Sequence, residues 1–305
     1  MSELGVETKV VPLADGRLLA WIEVGNPDGT PIFAFHGAPG RGFEFAMHHS
    51  VASGCGVRLI AVDRPGYGLS SPHPGRTLFD WPRDIEQLGD HLGLERFGVI
   101  GHSAGGPHAL TCARVLPGRL LGCGVLSGLA PQAESPITDG MLLSNRIQTA
   151  VYRHWPRSLD GIAVGLWLLT KPVVGPLLAS GRRHPERDVD RMVQRFLPEC
   201  DQAVVSRPDV RKVLVAEAAA FNSTTLRASF QDMALGIRDW GFDPSEIAIP
   251  VHIWQGDLDN NVPVAHGQYL AKTIPLATLH LCPGEGHWLL VDHMAEALSI
   301  VTSGV

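Results

Sequence analysis

The 305-residue chain is 45% hydrophobic and 18% charged, ample material for a large buried core and, by length, for up to two domains of ordinary size. Its formal net charge of −6 offers no basic footprint for nucleic acid, and isolated pairs such as Arg182-Arg183 read as solvated surface. The five cysteines, Cys55, Cys112, Cys123, Cys200 and Cys282, are odd in number, widely spaced and free of a C-x-x-C pair, which fits reduced thiols better than a disulfide frame or a zinc site.

The first nine residues carry acidic side chains and no long apolar run, so no secretory signal is expected and the protein is expected in the cytoplasm. Strands follow at Val6 to Pro12, Arg17 to Val24 and Pro31 to Phe35, separated by turns at Asp15-Gly16 and Asn26-Pro27-Asp28-Gly29. Val57 to Val62 is the next strand. A helix then runs from about Asp80, with the Asp80 side chain as its cap, through Ile85, Leu88 and Leu92 at helical spacing.

Phe97-Gly98-Val99-Ile100 reads as a short buried strand, and Ala104 to Leu116 as a helix with Pro107 in its first turn and Pro117-Gly118 behind it. Between them stands Gly101-His102-Ser103-Ala104-Gly105. A strand that turns abruptly into a helix holds its central residue in a strained backbone and leaves no room for side chains two positions away on either side. Gly101 and Gly105 meet that demand, which makes Ser103 the candidate nucleophile and the next N–H, that of Ala104, a candidate oxyanion donor.

After the strand Gly122 to Ser127 the alternation of strand and helix stops for over a hundred residues. A helical insertion over the strand ends is the simplest account, giving a core of residues 1–131 and 241–305 with a cap of residues 132–240. Asp209 to Phe221 reads as one cap helix, with Val210, Val213, Leu214 and Ala218 on one side. Gly161 to Gly181 carries one charge, Lys171, but Pro172 and Pro176 break it, so a buried cap segment is expected over a membrane span. No internal repeat is visible.

Two further strands, Ile249 to Trp254 and Ala277 to Cys282, lead into loops that supply an acid and then a base, the chain order that accompanies a serine on a strand-to-helix elbow. The G-x-x-D-x-x-V-P spacing from Gly256 to Pro263 selects Asp259, leaving Asp257 as a loop-capping side chain. His287 in Pro283-Gly284-Glu285-Gly286-His287 is the base, and His293 belongs to the last helix.

With these motifs, His36-Gly37-Ala38-Pro39-Gly40 and Asp63-Arg64-Pro65-Gly66-Tyr67-Gly68-Leu69-Ser70, the chain resembles the α/β-hydrolase superfamily over nearly its whole core. The resemblance implies a mostly parallel eight-stranded sheet flanked by helices, with an inserted helical cap. It further implies the triad Ser103, Asp259 and His287, an acyl-enzyme, and Ala38 N–H as the second oxyanion donor. Epoxide hydrolases and haloalkane dehalogenases carry Asp where this chain has Ser103.

His36 is expected to tie the oxyanion loop to its neighbours, His102 to face away from Ser103, His108 to pack in its helix, and Asp63 with Arg64 to form a buried polar pair. Tyr67, Trp155, Trp167 and Phe221 are candidates for substrate contact, the last three as an apolar roof of the cap. No metal or cofactor is expected, and the only partner called for is a small-molecule substrate.

The leading expectation is a carboxylic-ester hydrolase acting on small to medium hydrophobic substrates. A proline iminopeptidase-like aminopeptidase is the alternative, since His36-Gly37-Ala38-Pro39-Gly40 approaches its H-G-G-P-G loop. The chain departs from that family at Ala38 and around Ser103, and such a peptidase needs a cap carboxylate for the substrate's amino group, with Glu217 the candidate. A carbon–carbon hydrolase would use the same parts, and a ligand receptor that keeps the pocket without turnover is the non-enzymatic alternative.

Overall fold

The computed structural model describes residues 5–132, 137–154 and 184–303. Eight strands, β1 (Lys9–Pro12), β2 (Leu18–Gly25), β3 (Thr30–Phe35), β4 (Val57–Asp63), β5 (Phe97–His102), β6 (Leu120–Leu126), β7 (Val251–Gly256) and β8 (Ala277–Cys282), form one sheet in the order β1-β2-β4-β3-β5-β6-β7-β8. β2 pairs antiparallel with both β1 and β4 at one edge and every other pairing is parallel, with Phe33 opposite Ile60 and Val99.

The central strands β3 to β7 are mostly buried on both faces, so their sequences are largely apolar and alternate residues serve opposite cores. Phe33, Phe35, Val62, Val99, Val125 and Ile253 join one cluster with side chains of α2 (Asp80–His91), α3 (Gly105–Val115) and α9 (Val264–Thr273). Their strand neighbours Ile32, Ala34, Ala61, Ile100, Leu126 and Trp254 join the other, under α1 (His49–Gly54) and α10 (Leu290–Ser303). Fully burying a Val, Leu, Ile or Phe side chain among these contributes about 1.5–3 kcal/mol, which fixes the strand register and the loops at the strand ends.

Strand order reverses at β3, whose neighbours are β4 on one side and β5 on the other. The loops leaving the carboxyl ends of β3 and β5 therefore diverge around a crevice, the usual ligand position in an open parallel sheet. Those two loops carry Ala38 and Ser103.

Between β6 and β7 the described residues form only helices: α4 (Leu143–His154), α5 (Pro185–Phe196), α6 (Glu199–Val205), α7 (Pro208–Ala220) and α8 (Ser223–Ile237), with a single 3-10 turn at Pro244–Glu246 before β7. α7 lies within a residue of the span expected from the sequence; Val210 packs with Leu214 and Ala218 against Val189 and Val193 of α5, and Val213 is also buried. Trp155, Trp167 and the Gly161 to Gly181 stretch lie outside the described residues. Among the described residues no helix is long and apolar enough to cross a membrane.

One local expectation is corrected. Asp80 does not cap α2; it is the helix's first residue, and its carboxylate instead accepts from the Thr77 N–H at 2.7 Å and the Thr77 hydroxyl at 2.9 Å.

Candidate active site

Ser103 sits between β5 and α3 with a φ of +53°, the left-handed region that a residue with a side chain occupies only when its surroundings enforce it. The enforcement is visible at its flanks. A Cβ on Gly101 would come within 2.3 Å of the Gly105 carbonyl oxygen, and one on Gly105 within 2.1 Å of the Phe35 oxygen. The Ser103 N–H donates to Leu126 O and its carbonyl accepts from Gly106, pinning the turn at both ends. Ala104 is at the N-terminus of α3, where N–H groups have no acceptor within the helix.

His287 and Asp259 meet from the loops after β8 and β7. The His287 Nδ1–H donates to Asp259 Oδ2 at 2.8 Å, which leaves Nε2 as the basic nitrogen. Asp259 Oδ1 accepts from the N–H groups of Asn261 and Val262, both at 2.8 Å, so the carboxylate is held by its own loop. Burial pulls the His287 pKa down, but the charge and hydrogen bond of Asp259, helped by Asp201 and Glu44, outweigh it and leave it raised above the ordinary histidine value. Asp257 lies apart, accepting from Gly284 N–H, and His293 of α10 pairs with Glu285 of the preceding loop and with Glu296.

Three acidic residues missed in the sequence organise these loops. Glu44 is buried in the 3-10 segment Gly42–His48, accepts from Gly37 N–H at 2.7 Å and pairs with His102 Nδ1. His102 Nε2 faces the His287 carbonyl oxygen at 3.2 Å, and the two rings are 5.0 Å apart. A chain of bonds thus links the loop before Ala38 to the loop of His287. Hydrogen bonds and the neighbouring His102 hold the Glu44 pKa at about 2 against the cost of burial.

Asp201 of α6 reaches the same loop and accepts from the His287 and Trp288 N–H groups, both at 2.9 Å. Asp232 of α8, fully buried, pairs with Arg64 at 2.7 Å and with Arg76. Burial opposes its charge, yet the two guanidiniums hold its carboxyl far below the usual range. Glu44 and Asp232 each stand alone in an apolar run, Phe43-Glu44-Phe45-Ala46 and Asp232-Met233-Ala234-Leu235, and a charge in such a run signals a buried partner. Asp201 has no comparable signal.

Asp63 and Arg64 are both buried but do not form the mutual pair expected. Asp63 instead accepts from Gly42 N–H at 2.7 Å, while Arg64 crosses to Asp232 because its longer side chain reaches α8. His36 accepts from the Arg64 N–H through Nε2, and its Nδ1 bonds the Gly37 carbonyl oxygen, so its ring spans the two loops. His108 is buried in α3, its Nδ1 bonded to Ala104 O, and burial pushes its pKa down to about 3.

A cavity of about 230 Å³ is lined by Ala38, Ser103, Phe221, Leu129, Met233 and Gln132, among others. Of the described residues that line it, none is charged. Tyr67 is not part of the lining: its ring is fully buried edge-on to His36, 4.7 Å between centroids. Glu217 does not line it either and is paired with Arg41 at 2.9 Å, where burial raises its pKa to about 7 despite the guanidinium. A larger cavity, about 300 Å³, shares Leu226 and Phe230 with the first but touches none of Ser103, Asp259 and His287.

A strained serine turn after the fifth strand, with a hydrogen-bonded Asp and His on the loops after the seventh and eighth, is the arrangement of an α/β hydrolase architecture. Residues 32–299 match the model of the alpha/beta hydrolase family, and the chain belongs to that family. It is 38% identical over 104 residues to a proline iminopeptidase of Xanthomonas citri, 32% of each chain. It is 34% identical over 200 residues to the dihydrolipoyllysine-residue acetyltransferase component of an acetoin cleaving system of Pseudomonas putida, 65% of this chain and 52% of that one. The matched region thus spans about a third to a half of these relatives' own length. Among solved structures, a thermophilic esterase of Thermogutta terrifontis superposes with a TM-score of 0.65 at 20% identity, over 97% of this chain and 96% of the other, a likeness of fold.

Proposed function

We propose that this hydrolase cleaves carboxylic esters of uncharged, largely apolar small molecules through an acyl-enzyme. His287 Nε2 takes the proton from the Ser103 hydroxyl as its oxygen attacks the ester carbonyl, and Asp259 orients the imidazole and stabilises its cation. The oxyanion is met by the N–H groups of Ala104 and Ala38. The alcohol leaves with the proton from His287, and water, activated by the same nitrogen, releases the acid.

The carrying observation is the cavity that joins Ser103 to Ala38 without a single charged side chain among its described lining residues. A free amino group or a carboxylate entering it would lose its hydration with no opposite charge to replace it. That favours an ester over an aminopeptidase substrate, although iminopeptidases are among the relatives, because Glu217, the carboxylate such a reaction would need, is engaged by Arg41.

Nitrophenol release from nitrophenyl esters of increasing acyl length, with wild type beside Ser103→Ala, tests the reading. Expected is turnover that disappears in the variant and peaks at a short to medium chain. Ser103-dependent release from a prolyl nitroanilide, with none from any ester, would overturn it in favour of the aminopeptidase. Binding without repeated turnover of either would point to a receptor, and cleavage only of carbon–carbon bonds to that hydrolase class.

A further inference from the structure

We propose that Gln132 is the polar anchor of the substrate: its carboxamide pairs with a neutral amide group carried by an otherwise apolar ligand. The ester part of that ligand rests on the reading above, whereas the amide part rests on Gln132 itself.

Gln132 follows β6 by six residues, lines the cavity that holds Ser103 and Ala38, and is 0% exposed. Neither its Oε1 nor its Nε2 has a hydrogen-bond partner among the described residues. Native proteins leave few buried polar groups in this state, because both water and a protein partner have been given up. A residue needed only to fill the wall would be Leu or Met, of similar volume and without the loss.

Apart from Ser103, the nucleophile of the proposed reaction, the other polar side chains around the cavity are occupied. Asn145 donates to the Asn261 side chain, Thr149 to the sulfur of Met141 and Ser229 to the Thr225 carbonyl, while Gln148 is also engaged. Gln132 therefore stands as the uncommitted reader in an apolar space. A carboxamide carries an acceptor and donors side by side, and the complement that satisfies both atoms together is another amide, which returns one N–H and one C=O. A ketone or ester oxygen satisfies only the donor. A charged group is disfavoured because none of the described lining offers a counter-charge.

The test compares two ester series of increasing chain length that differ only at the acyl terminus, one ending in a primary carboxamide and the other in the isosteric isopropyl group. Each is assayed as the nitrophenyl ester with wild type and Gln132→Leu, and as the methyl ester for binding to Ser103→Ala with and without Gln132→Leu. At the matching chain length the carboxamide is expected to exceed its isostere at least about tenfold in kcat/KM and in affinity, the scale of one well-placed pair of hydrogen bonds. Gln132→Leu is expected to bring the ratio within about threefold, by losing the amide and gaining the hydrocarbon, and to raise the melting temperature of the free protein.

A ratio near one at every length in both assays, or a fall in melting temperature with Gln132→Leu, would overturn the inference, the latter by showing that Gln132 is held by the fold. If esters turn over through Ser103 with no Gln132-dependent preference, the esterase reading stands and the anchor falls. If no ester turns over but the carboxamide binds tenfold tighter through Gln132, the anchor stands and the esterase reading falls.

Discussion

Ser103 and Met233 line the same cavity, but different physics brings them there. Ser103 is held by neighbours two residues away, since Gly101 and Gly105 are the only residue type that the crossing backbones admit. Met233 comes from α8, which is anchored to the β4 loop through Asp232 and its two arginines, Arg64 and Arg76, more than 150 positions away in sequence. The candidate nucleophile is placed by local steric demand at a strand end, and the wall that α8 supplies to the cavity is placed by long-range contacts. The two regions should therefore respond differently to substitution.

The sharpest break is expected at the strand ends. Ser103→Ala or His287→Ala should reduce turnover by about 10⁴ to 10⁶, and Asp259→Asn by about 10⁴, in steady-state assays on the best ester. Circular dichroism and melting temperature should stay near wild type for Ser103→Ala, because the hydroxyl is not needed to hold the elbow. If His293→Ala abolished activity while His287→Ala retained it, the assignment of the base would be wrong.

Asp232→Ala should do the opposite, striking stability before chemistry. Two buried guanidiniums would lose the carboxylate that balances their charge, a loss of about 3–5 kcal/mol read as a lower denaturant midpoint. An exposed pair gives the control: Arg114→Ala, opposite Glu246 with both side chains more than a third exposed, should change stability by less than about 1 kcal/mol. The Asp232 contribution also has a pH signature. Its folded pKa is depressed, so the stabilisation is full above the unfolded value of about 3.9 and is lost as pH falls through the folded value.

This contrast also explains what could be read from sequence. The strands, the elbow and the acid and base loops were legible because each depends on a short-range rule: two-residue alternation, a glycine forced by a crossing backbone, a turn after an apolar run. Asp63 and Arg64 misled for the opposite reason. Adjacent in sequence, they suggested each other as partners, whereas an arginine side chain is long enough to cross to another helix. Tyr67 was mistaken for a lining residue because nothing in its turn reveals that its ring packs inward on His36. Glu44, Asp201 and Gln132 act through partners or cavities distant in sequence, and only the fold brings these together.

The Glu44–His102 pair lies between the two regimes, and Glu44→Gln sharpens the comparison with a smaller effect than Ser103→Ala or Asp232→Ala. The amide keeps one acceptor for Gly37 N–H but removes the charge beside His102 and, through space, beside His287. Loosening the link between the oxyanion loop and the base should cost about 10- to 100-fold in kcat with little change in KM, the scale of a small misplacement of reacting groups. The pH profile separates positioning from mere structure. Glu44 helps raise the His287 pKa, and only neutral His287 can accept the serine proton, so wild-type kcat/KM should rise with pH along a limb centred above the ordinary histidine value of about 6.5. Removing the negative charge makes the imidazolium less favourable, so the limb should move to lower pH in Glu44→Gln. A rate loss with the limb unmoved would mean that Glu44 supports only the loop's shape; a limb moved down by Glu44→Gln, but not by a comparable loss of stability elsewhere such as Phe33→Leu, would show that the carboxylate acts on the base itself.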